Sequence, residues 1–221
     1  DLYKCDWDEL TTLVLSPGIP HTFPKPHPIA TIAKAHNIEI ICDVELLGRS
    51  QRLSNMIGIT GTNGKSTTTA LIGHIMQLSG REAEVGGNLG PPVLNLEALG
   101  EGGTYIIEMS SYQLELNFSI TFDVAVLLNI SHEHLERHGG MTGYIAAKKR
   151  IFHRQTIPRT AVIGIDNELT KAIYNELSKT KDQNVIPISG EKAVSGGVYS
   201  ENGLLIDDID GQMTTVCDLK E

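Results

Sequence analysis

The feature that most constrains this chain is a glycine-rich loop between an apolar strand and a helix. The run GITGTNGKST at residues 58–67 follows a strand predicted over 56–60 and opens a helix predicted over 65–78. Glycines let several backbone N–H groups point at one anion, and the helix N-terminus adds partial positive charge. The loop therefore predicts a phosphate site in which Lys65 contacts the outer phosphates and Ser66 offers its hydroxyl to Mg²⁺.

The loop departs from the generic phosphate-loop pattern at one position. That pattern places a glycine six residues before the lysine, whereas this chain has Ile59 there and Gly58 one residue earlier. A glycine-rich turn that happens to precede a helix is therefore the alternative. The order of strand, loop and helix favours the phosphate site.

Apolar strands alternate with helices along most of the chain. Strands are predicted at 56–60, 105–109, 124–128, 161–165 and 185–188, with helices at 65–78, 142–152 and 168–177. This alternation predicts an α/β fold of the P-loop type, a parallel sheet with helices on both faces. Short strands at 198–199, 204–206 and 213–217, separated by Asn-Gly and Asp-Gly turns, predict a small antiparallel appendage.

The first 50 residues predict a separate and incomplete unit. A strand at 13–16, a helix at 28–36 and a strand at 38–42 are too few to close a sheet. We interpret residues 1–50 as the C-terminal part of a Rossmann-like domain and residues 51–221 as a central domain. The polar stretch 48–55 is the expected linker. Because the chain starts at Asp1 rather than Met, we expect its beginning to have been removed.

Composition narrows the class of protein. The formal net charge of -9 disfavours a nucleic-acid partner, which would need clustered Lys and Arg. Cys5, Cys42 and Cys217 are far apart, which argues against a disulfide framework or a cysteine zinc site and fits a reducing compartment. No apolar run approaches the roughly 18 residues of a membrane span. We expect a cytoplasmic, monomeric protein without a membrane span.

Several motifs together resemble one enzyme family. The loop is similar to that of the Mur ligases and the folylpolyglutamate synthetases, which use ATP to join a carboxylate to an amine. The segments EMSSYQLE at 108–115, NISHEHL at 129–135 and YIAAK at 144–148 resemble Mur ligase segments in the same order. The SSYQ run and the upstream SPGI turn at 16–19 favour the D-glutamate-adding members of that family.

The resemblance implies an ATP-dependent ligase that adds D-glutamate to UDP-N-acetylmuramoyl-L-alanine through an acyl phosphate, with ATP and two Mg²⁺ ions. It implies ATP contacts at Gly61, Thr62, Asn63, Gly64, Lys65, Ser66, Thr67 and Asn167. It implies metal ligands at Ser66, Glu108, His134 and Lys148, the last as a carbamate, and a catalytic set of Lys65, Glu108, His134 and Lys148. It implies substrate contacts at Ser16, Pro17, Gly18, Asn88, Ser110 and Gln113.

The chain also departs from the family pattern. Glu133 and Glu136 stand where the family usually has aspartates. From the resemblance we expect the uridine-binding start of the first domain and the C-terminal amino-acid-binding domain to be missing. We therefore expect an incomplete enzyme that binds MgATP but catalyses nothing alone.

Each predicted metal ligand has a plainer interpretation. Glu108 would be a solvated loop carboxylate, although its place at the end of a strand favours Mg²⁺. Lys148 would belong to a solvated basic helix face. His134, with His132 and His138, also suggests zinc, but zinc needs about four N or S ligands and no cysteine completes the set.

The remaining alternatives concern turns and the overall function. Asn88 lies in a glycine-rich turn, where asparagine is common for conformational reasons. Asn167 is either a helix N-cap or a contact to the adenine side of ATP. A folylpolyglutamate synthetase-like ligase and a nucleotide-binding module without ligase chemistry are the competing functions. The second would not need Glu108, His134 and Lys148 together.

Overall fold

The N-terminal residues form a small parallel β-α-β unit followed by a helix. The structure is a computed structural model that describes residues 2–220. Strand β1 (Thr12–Val14) pairs in parallel with β2 (Glu39–Ile41), and helix α1 (Pro28–Ala35) connects them. Pro28 occupies the first turn of α1, where its missing N–H leaves no bond unmade. The helix and both strands occur where they were predicted, with β1 starting and ending earlier.

The predicted linker at 48–55 is wrong over half of its length. Helix α2 (Asp43–Ser50) covers its first residues, and the next strand begins at Asn55. The polar composition of the stretch suggested a linker, but Gly48 packs closely in this helix. A Cβ at Gly48 would lie 2.9 Å from the Ile120 Cβ, so this glycine permits close packing rather than flexibility.

A nine-stranded sheet forms the body of the molecule. In chain order its strands are β3 (Asn55–Thr60), β4 (Ala83–Gly87), β5 (Thr104–Glu108), β6 (Val124–Leu127), β7 (Thr160–Gly164), β8 (Asn184–Ser189), β9 (Val198–Glu201), β10 (Leu204–Asp207) and β11 (Thr214–Asp218). Across the sheet the order is β11-β10-β9-β8-β7-β6-β3-β5-β4. This confirms the predicted α/β fold with a parallel sheet.

The edges of the sheet add two details that the sequence did not show. β9 pairs in parallel with β8, and only then do β10 and β11 run antiparallel. The antiparallel appendage is therefore continuous with the main sheet. The edge strand β4 was not predicted, because Glu84, Gly86 and Gly87 interrupt the apolar pattern expected of a buried strand.

Helices cover both faces of the sheet. α3 (Lys65–Leu78) packs against β3, β4 and β5, and α4 (Ser111–Glu115) packs against α5 (Met141–Lys149). α6 (Glu168–Thr180) packs against β7 and β8. None of the helices between residues 2 and 220 combines the length and apolarity that crossing a membrane requires.

The apolar residues of α3 only partly face the sheet. Ile72 and Met76 pack against the core, whereas Leu71 and Ile75 are 55% and 53% exposed. Thr69 and Gly73 are the buried residues of the helix. A Cβ at Gly73 would lie 2.4 Å from a methyl carbon of Val85, so the absence of a side chain lets α3 lie close to β4.

Candidate functional site

The phosphate loop lies where the connections of the sheet change direction. From β3 the chain moves outward to β4 and returns through β5, and it then crosses to β6 on the other side of β3. Such a switch point leaves a crevice beyond the carboxyl ends of the strands, where open α/β sheets bind ligands. The loop after β3, Glu108 at the end of β5 and Asn129 just after β6 all lie at this crevice.

Asn129 holds the phosphate loop in place, although its motif gives no reason to separate it from the neighbouring residues. Its Oδ1 accepts hydrogen bonds from Thr62 N at 3.1 Å and Asn63 N at 2.8 Å, and its Nδ2 donates to Asn63 O at 3.0 Å. Gly64 follows with φ 81°, a left-handed conformation that favours glycine, and caps α3. The first N–H groups of α3, at the predicted ATP contacts Ser66 and Thr67, are left for an anion, because a helix cannot bond them internally.

Glu108 is buried and only partly hydrogen-bonded. Its side chain is 1% exposed, and its Oε1 accepts a hydrogen bond of 2.7 Å from Asn88 Nδ2. Among the described residues, Oε2 is buried without a hydrogen-bond partner. An unpaired buried carboxylate oxygen is costly unless a cation or donor meets it, and carboxylate oxygen is the ligand that Mg²⁺ prefers. The predicted metal role of Glu108 fits this arrangement.

Lys148 is a buried amine beneath the phosphate loop. It is 2% exposed, donates to Gly61 O at 2.7 Å, and lies 4.8 Å from the ring centre of Tyr144. Burial, with repulsion from Lys65, lowers the pKa of Lys148 to about 7 despite attraction from Glu133. A large fraction of the amine is therefore neutral near pH 7, and neutral amine is the form that reacts with CO₂. These surroundings support the predicted carbamate.

A small cavity of about 140 Å³ brings five of the predicted site residues together. Together with Ser111, Tyr112, Glu133 and Tyr144, its lining contains Lys65, Asn88, Ser110, His134 and Lys148. Glu108 lies behind Asn88, to which it is hydrogen-bonded.

His134 lies at the open side of this cavity. Its side chain is 50% exposed, and its Nε2 lies 3.8 Å from Glu133 Oε1. The ring of Tyr112 is 5.4 Å from that of His134. Among the described residues, no group of three or more His, Cys, Asp or Glu side chains gathers in a metal-binding arrangement. His132 and His138 thus do not form a cluster with His134.

Ser110 and Gln113 are engaged with each other. Ser110 caps α4, and its Oγ accepts a hydrogen bond from Gln113 N at 3.2 Å. Gln113 Oε1 in turn accepts from Ser110 N at 2.9 Å, which completes a capping box. Ser110 lines the cavity, whereas Gln113 is 5% exposed. The structure thus gives both residues a local role, and their predicted substrate contacts stay predictions.

The turn at Ser16, Pro17 and Gly18 is tied to the same region. Arg137 donates to Gly18 O at 2.8 Å and to Pro17 O at 3.4 Å. The guanidinium carbon of Arg137 lies 4.5 Å from the ring centre of Tyr112, which lines the cavity. Arg137 therefore connects the predicted substrate turn to the site.

His138 is a buried residue that the sequence gave no reason to separate from His132. Its Nδ1 lies 2.7 Å from Glu115 Oε1, and its Nε2 lies 2.9 Å from Ser111 Oγ. Its ring stacks on Tyr112 with centroids 5.4 Å apart and contacts Tyr144 at the same distance. Since both tyrosines line the cavity, His138 supports its wall.

A second cavity, of about 460 Å³, adjoins the outer side of the phosphate loop. Asn63, Gly64 and Asn129 line one side of it, and Ile188 and Gly190 line another. This volume lies within the range of small-ligand pockets and suits the base and ribose of a nucleotide.

Asn167, the predicted adenine-side residue, is the N-cap of α6. Its Oδ1 accepts hydrogen bonds from Leu169 N at 3.0 Å and Thr170 N at 3.3 Å. Its neighbour Asp166 lines the second cavity and accepts a hydrogen bond of 2.8 Å from Gly190 N. The capping role is observed, and the contact of Asn167 with ATP stays a prediction.

Comparison with curated proteins gives one consistent result. The chain is 50% identical over 213 residues to the UDP-N-acetylmuramoylalanine--D-glutamate ligase of Rhodospirillum rubrum, a match that covers 96% of this chain and 45% of the relative. It is 47% identical over 192 residues to the ligase of the same name from Rickettsia felis, covering 87% of this chain and 41% of that one. The chain thus spans about half the length of the curated relatives it matches.

Solved structures show the same fold at low sequence identity. The MurF ligase of Thermotoga maritima in complex with ADP matches with a TM-score of 0.53 and 18% identity, over 96% of this chain and 58% of that chain. A ligase from Neisseria meningitides, UDP-N-acetylmuramate:L-alanyl-gamma-D-glutamyl-meso-diaminopimelate ligase, matches with a TM-score of 0.59 and 12% identity, over 87% and 64% of the two chains.

The family model that matches is the Mur ligase middle domain, over residues 59–214. This stretch starts in the phosphate-loop strand and ends at the last strand of the sheet, so it contains Lys65, Glu108, His134 and Lys148. The predicted family is thereby confirmed, and the chain belongs to the Mur ligase family.

Proposed function

We propose that this chain carries the ATP-binding part of a ligase that adds D-glutamate to UDP-N-acetylmuramoyl-L-alanine through an acyl phosphate. One observation supports this most strongly: Lys65 and the buried Lys148 amine line one cavity, and Glu108, with its unpaired carboxylate oxygen, is hydrogen-bonded to Asn88 in the wall of that cavity. Burial disfavours the charged form of Lys148, and a module that only binds nucleotide has no need for a buried amine at this position. The relatives are named as D-glutamate ligases, which supports D-glutamate as the amino acid that is added.

The phosphate loop acts by binding and orienting the nucleotide. Lys65 and the N–H groups at the start of α3 hold the phosphates, and Asn129 fixes the loop so that it needs no reordering when ATP binds. Lys65 Nζ donates to Thr62 O at 2.8 Å in the structure and would exchange this bond for a phosphate oxygen. We place the base and ribose in the 460 Å³ cavity, which is lined by Asp166, the neighbour of the helix cap Asn167.

Ser66, Glu108, His134 and the carbamate of Lys148 would hold Mg²⁺, and we propose two ions. Bound Mg²⁺ supplies neutralisation of the charge on the transferring phosphoryl group. Carbamylation turns the Lys148 amine into an anion, which removes its repulsion from Lys65. Tyr144, hydrogen-bonded to Thr62 Oγ1 at 3.1 Å, keeps the loop and the Lys148 helix together.

We propose that the substrate binds at the wall of the crevice opposite the phosphate loop. Asn88 and Ser110 line the 140 Å³ cavity, and Gln113 fixes Ser110. The Ser16-Pro17-Gly18 turn is held by Arg137. We propose that residues 1–50 belong to the substrate domain and 51–221 to the ATP domain. We also propose that the protein acts as a cytoplasmic monomer without a nucleic-acid partner.

The first test is nucleotide binding by the 221-residue chain. Calorimetry should show MgATP binding to the wild type and at least tenfold weaker binding to Lys65→Ala, because the lysine contacts the outer phosphates. Lys149→Ala is the matched control, since Lys149 lies on the outer face of α5 and pairs with Glu176 at 2.7 Å. Equal affinity in all three would contradict the role of the loop.

The second test is catalysis by a form extended to the length of the curated relatives. Release of ADP with MgATP and UDP-N-acetylmuramoyl-L-alanine should depend on D-glutamate, while the 221-residue chain alone releases little. Turnover with a folate substrate instead would favour the folylpolyglutamate alternative. Nucleotide binding without any amino-acid dependence would leave a nucleotide-binding module.

A further inference from the structure

A larger cavity, of about 590 Å³, lies at the end of the sheet opposite the phosphate loop. Its lining comes from three segments: the connection from α2 into β3, the stretch before β6, and the stretch before β7. All three precede parallel strands, so the cavity lies at their amino ends. None of the predicted ATP, metal or substrate residues lines it.

Arginine dominates this cavity in a chain whose net charge is -9. Arg49, Arg52, Arg154 and Arg159 line it, and Asp123 is the acidic residue among the lining. Arginine presents its donors in a planar fork that matches the oxygens of phosphate and carboxylate groups. Four of the 18 Lys and Arg residues of the chain therefore line one cavity.

Two of the four arginines are already committed. Arg49 donates to both Glu39 and Glu45, at 2.7 Å and 2.9 Å. Arg159 Nε lies 3.3 Å from Asp123 Oδ1. Arg49 and Arg159 are therefore held by their carboxylate partners, and their main role is to keep the wall of the cavity rigid.

Arg52 and Arg154 are the free charges. Both side chains are exposed, and within the described part of the chain neither forms an ion pair with a carboxylate. Arg52 is oriented by a hydrogen bond from its Nε to Arg49 O at 3.1 Å. Arg154 has φ 61°, a left-handed conformation unusual for a side-chain-bearing residue, and it lines the cavity.

We propose that this cavity is a binding site for a phosphate-bearing anion, contacted by Arg52 and Arg154. Its volume falls in the range of small-ligand pockets, and the guanidinium groups of Arg52 and Arg154 favour anions over cations. An anion there would bridge the end of α2 to the segments before β6 and β7, and so restrain the junction between the N-terminal unit and the sheet. The proposal does not depend on the ligase activity.

Pyrophosphate is the probe, and the phosphate loop is the competing site. In calorimetry with metal-free buffer, the full chain should bind pyrophosphate at two sites. Lys65→Ala should keep one site, and Arg52→Gln/Arg154→Gln should keep the other. The combined triple variant should bind at least tenfold more weakly than either. Arg81→Gln/Lys192→Gln removes the same charge from exposed residues outside the cavity and should bind like the wild type.

Three outcomes of the pyrophosphate experiment decide whether the arginine cavity binds the anion. Loss of all binding in Lys65→Ala, in a chain that remains folded by circular dichroism, overturns the proposal. So does an equal weakening in Arg52→Gln/Arg154→Gln and the charge-matched control, because that would reflect net charge alone. Binding that survives in Lys65→Ala and disappears with the arginine pair supports it.

A phosphate group could come from a soluble metabolite or from a lipid headgroup. Cosedimentation with vesicles of phosphatidylglycerol, compared with phosphatidylcholine, distinguishes the two sources. Vesicle binding by the wild type that the arginine pair abolishes identifies a headgroup. Pyrophosphate binding without vesicle binding identifies a soluble anion.

Discussion

Glu45 and Lys148 are both ionisable side chains in the interior. The surroundings of Glu45 stabilise its charged form, whereas those of Lys148 disfavour it. Glu45 is fully buried where α2 meets the sheet, and it accepts hydrogen bonds from Phe118 N, Ser119 N and Oγ, and Arg49 Nε. Burial alone would raise the pKa of Glu45, yet these donors lower it. Lys148 lacks a carboxylate at contact distance within residues 2–220, and burial lowers its pKa to about 7.

The difference separates a structural charge from a reactive one. At the junction the Glu45 carboxylate accepts hydrogen bonds on both oxygens, so it stays ionised and fixed. At the crevice the amine of Lys148 and one oxygen of Glu108 remain poorly paired. Poor pairing is unfavourable for folding and is retained where a ligand or a modification supplies the missing partner. Pairing, rather than burial, therefore distinguishes the two regions.

The largest effect should come from breaking the junction. Glu45→Ala leaves Arg49 and two backbone N–H groups without their buried partner, and we expect a loss of about 3–5 kcal/mol in the free energy of unfolding. Urea denaturation at pH 7 measures it. Glu39→Ala is the control, because Glu39 pairs with the same Arg49 from an exposed position and should cost less than about 1 kcal/mol.

The pH dependence gives this prediction a sign. Because the pKa of Glu45 is lowered on folding, its stabilisation is present above its ordinary value of 4.5 and is lost as pH falls through the lowered value. The difference in the free energy of unfolding between the wild type and Glu45→Ala should therefore become smaller at acid pH. An equal cost for Glu39→Ala and Glu45→Ala would contradict the contrast between buried and exposed partners.

The second effect concerns the amine of Lys148. Its pKa is lowered from 10.5 to about 7, so between these values the unfolded chain binds more protons and stability rises with pH. In CO₂-depleted buffer we expect the wild type to gain about 2 kcal/mol from pH 7 to pH 9 relative to Lys148→Met. Chemical denaturation at several pH values measures this difference.

Lys149→Met is the matched control for that experiment. Lys149 pairs with Glu176 on the outer face of the same helix, so its removal should leave the pH slope unchanged. Bicarbonate should reduce the slope of the wild type if the carbamate forms, because the titrating amine is then replaced. Parallel slopes for wild type and Lys148→Met would show that the amine is ordinarily solvated.

A smaller effect should follow from His138, which resembles Glu45 in being fully paired but lies beside the site. His138→Phe keeps a ring against Tyr112 but leaves the buried Ser111 hydroxyl without its partner, and we expect a cost of about 1–2 kcal/mol. Thermal or urea unfolding measures it. His132→Phe, at an exposed position, should change stability by less than about 0.5 kcal/mol.

The sequence predicted the central fold well because its signals are local. The apolar runs of β5 and β6 and the loop before Lys65 each predict one element without reference to the rest of the chain. β4 and α2 were missed since their stability depends on packing. Gly73 lets α3 lie close to Val85, and Gly48 fits against Ile120, and neither contact leaves a pattern in the sequence.

The candidate site also contains features that the sequence does not reveal, because they depend on tertiary packing. Resemblance located Lys148 among three consecutive basic residues, but only the structure shows that it points inward while Lys149 faces Glu176. His132 and His138 look alike in sequence and differ completely in burial. Asn129 belongs to the segment NISHEHL at 129–135, yet its bonds to the phosphate loop depend on strand order, which brings β6 beside β3.

The smallest effect tests whether Ser110 belongs with the structural or the reactive residues. As the N-cap of α4 its hydroxyl is paired with Gln113, so Ser110→Ala should cost about 1 kcal/mol of stability in urea denaturation. Ser131→Ala, an exposed serine near the same crevice, should cost less. If Ser110 also contacts the substrate, Ser110→Ala in a form extended to the relatives' length should raise KM for UDP-N-acetylmuramoyl-L-alanine, with KM for ATP unchanged. A change in stability alone would place Ser110 with Glu45, as a residue whose partners are already complete.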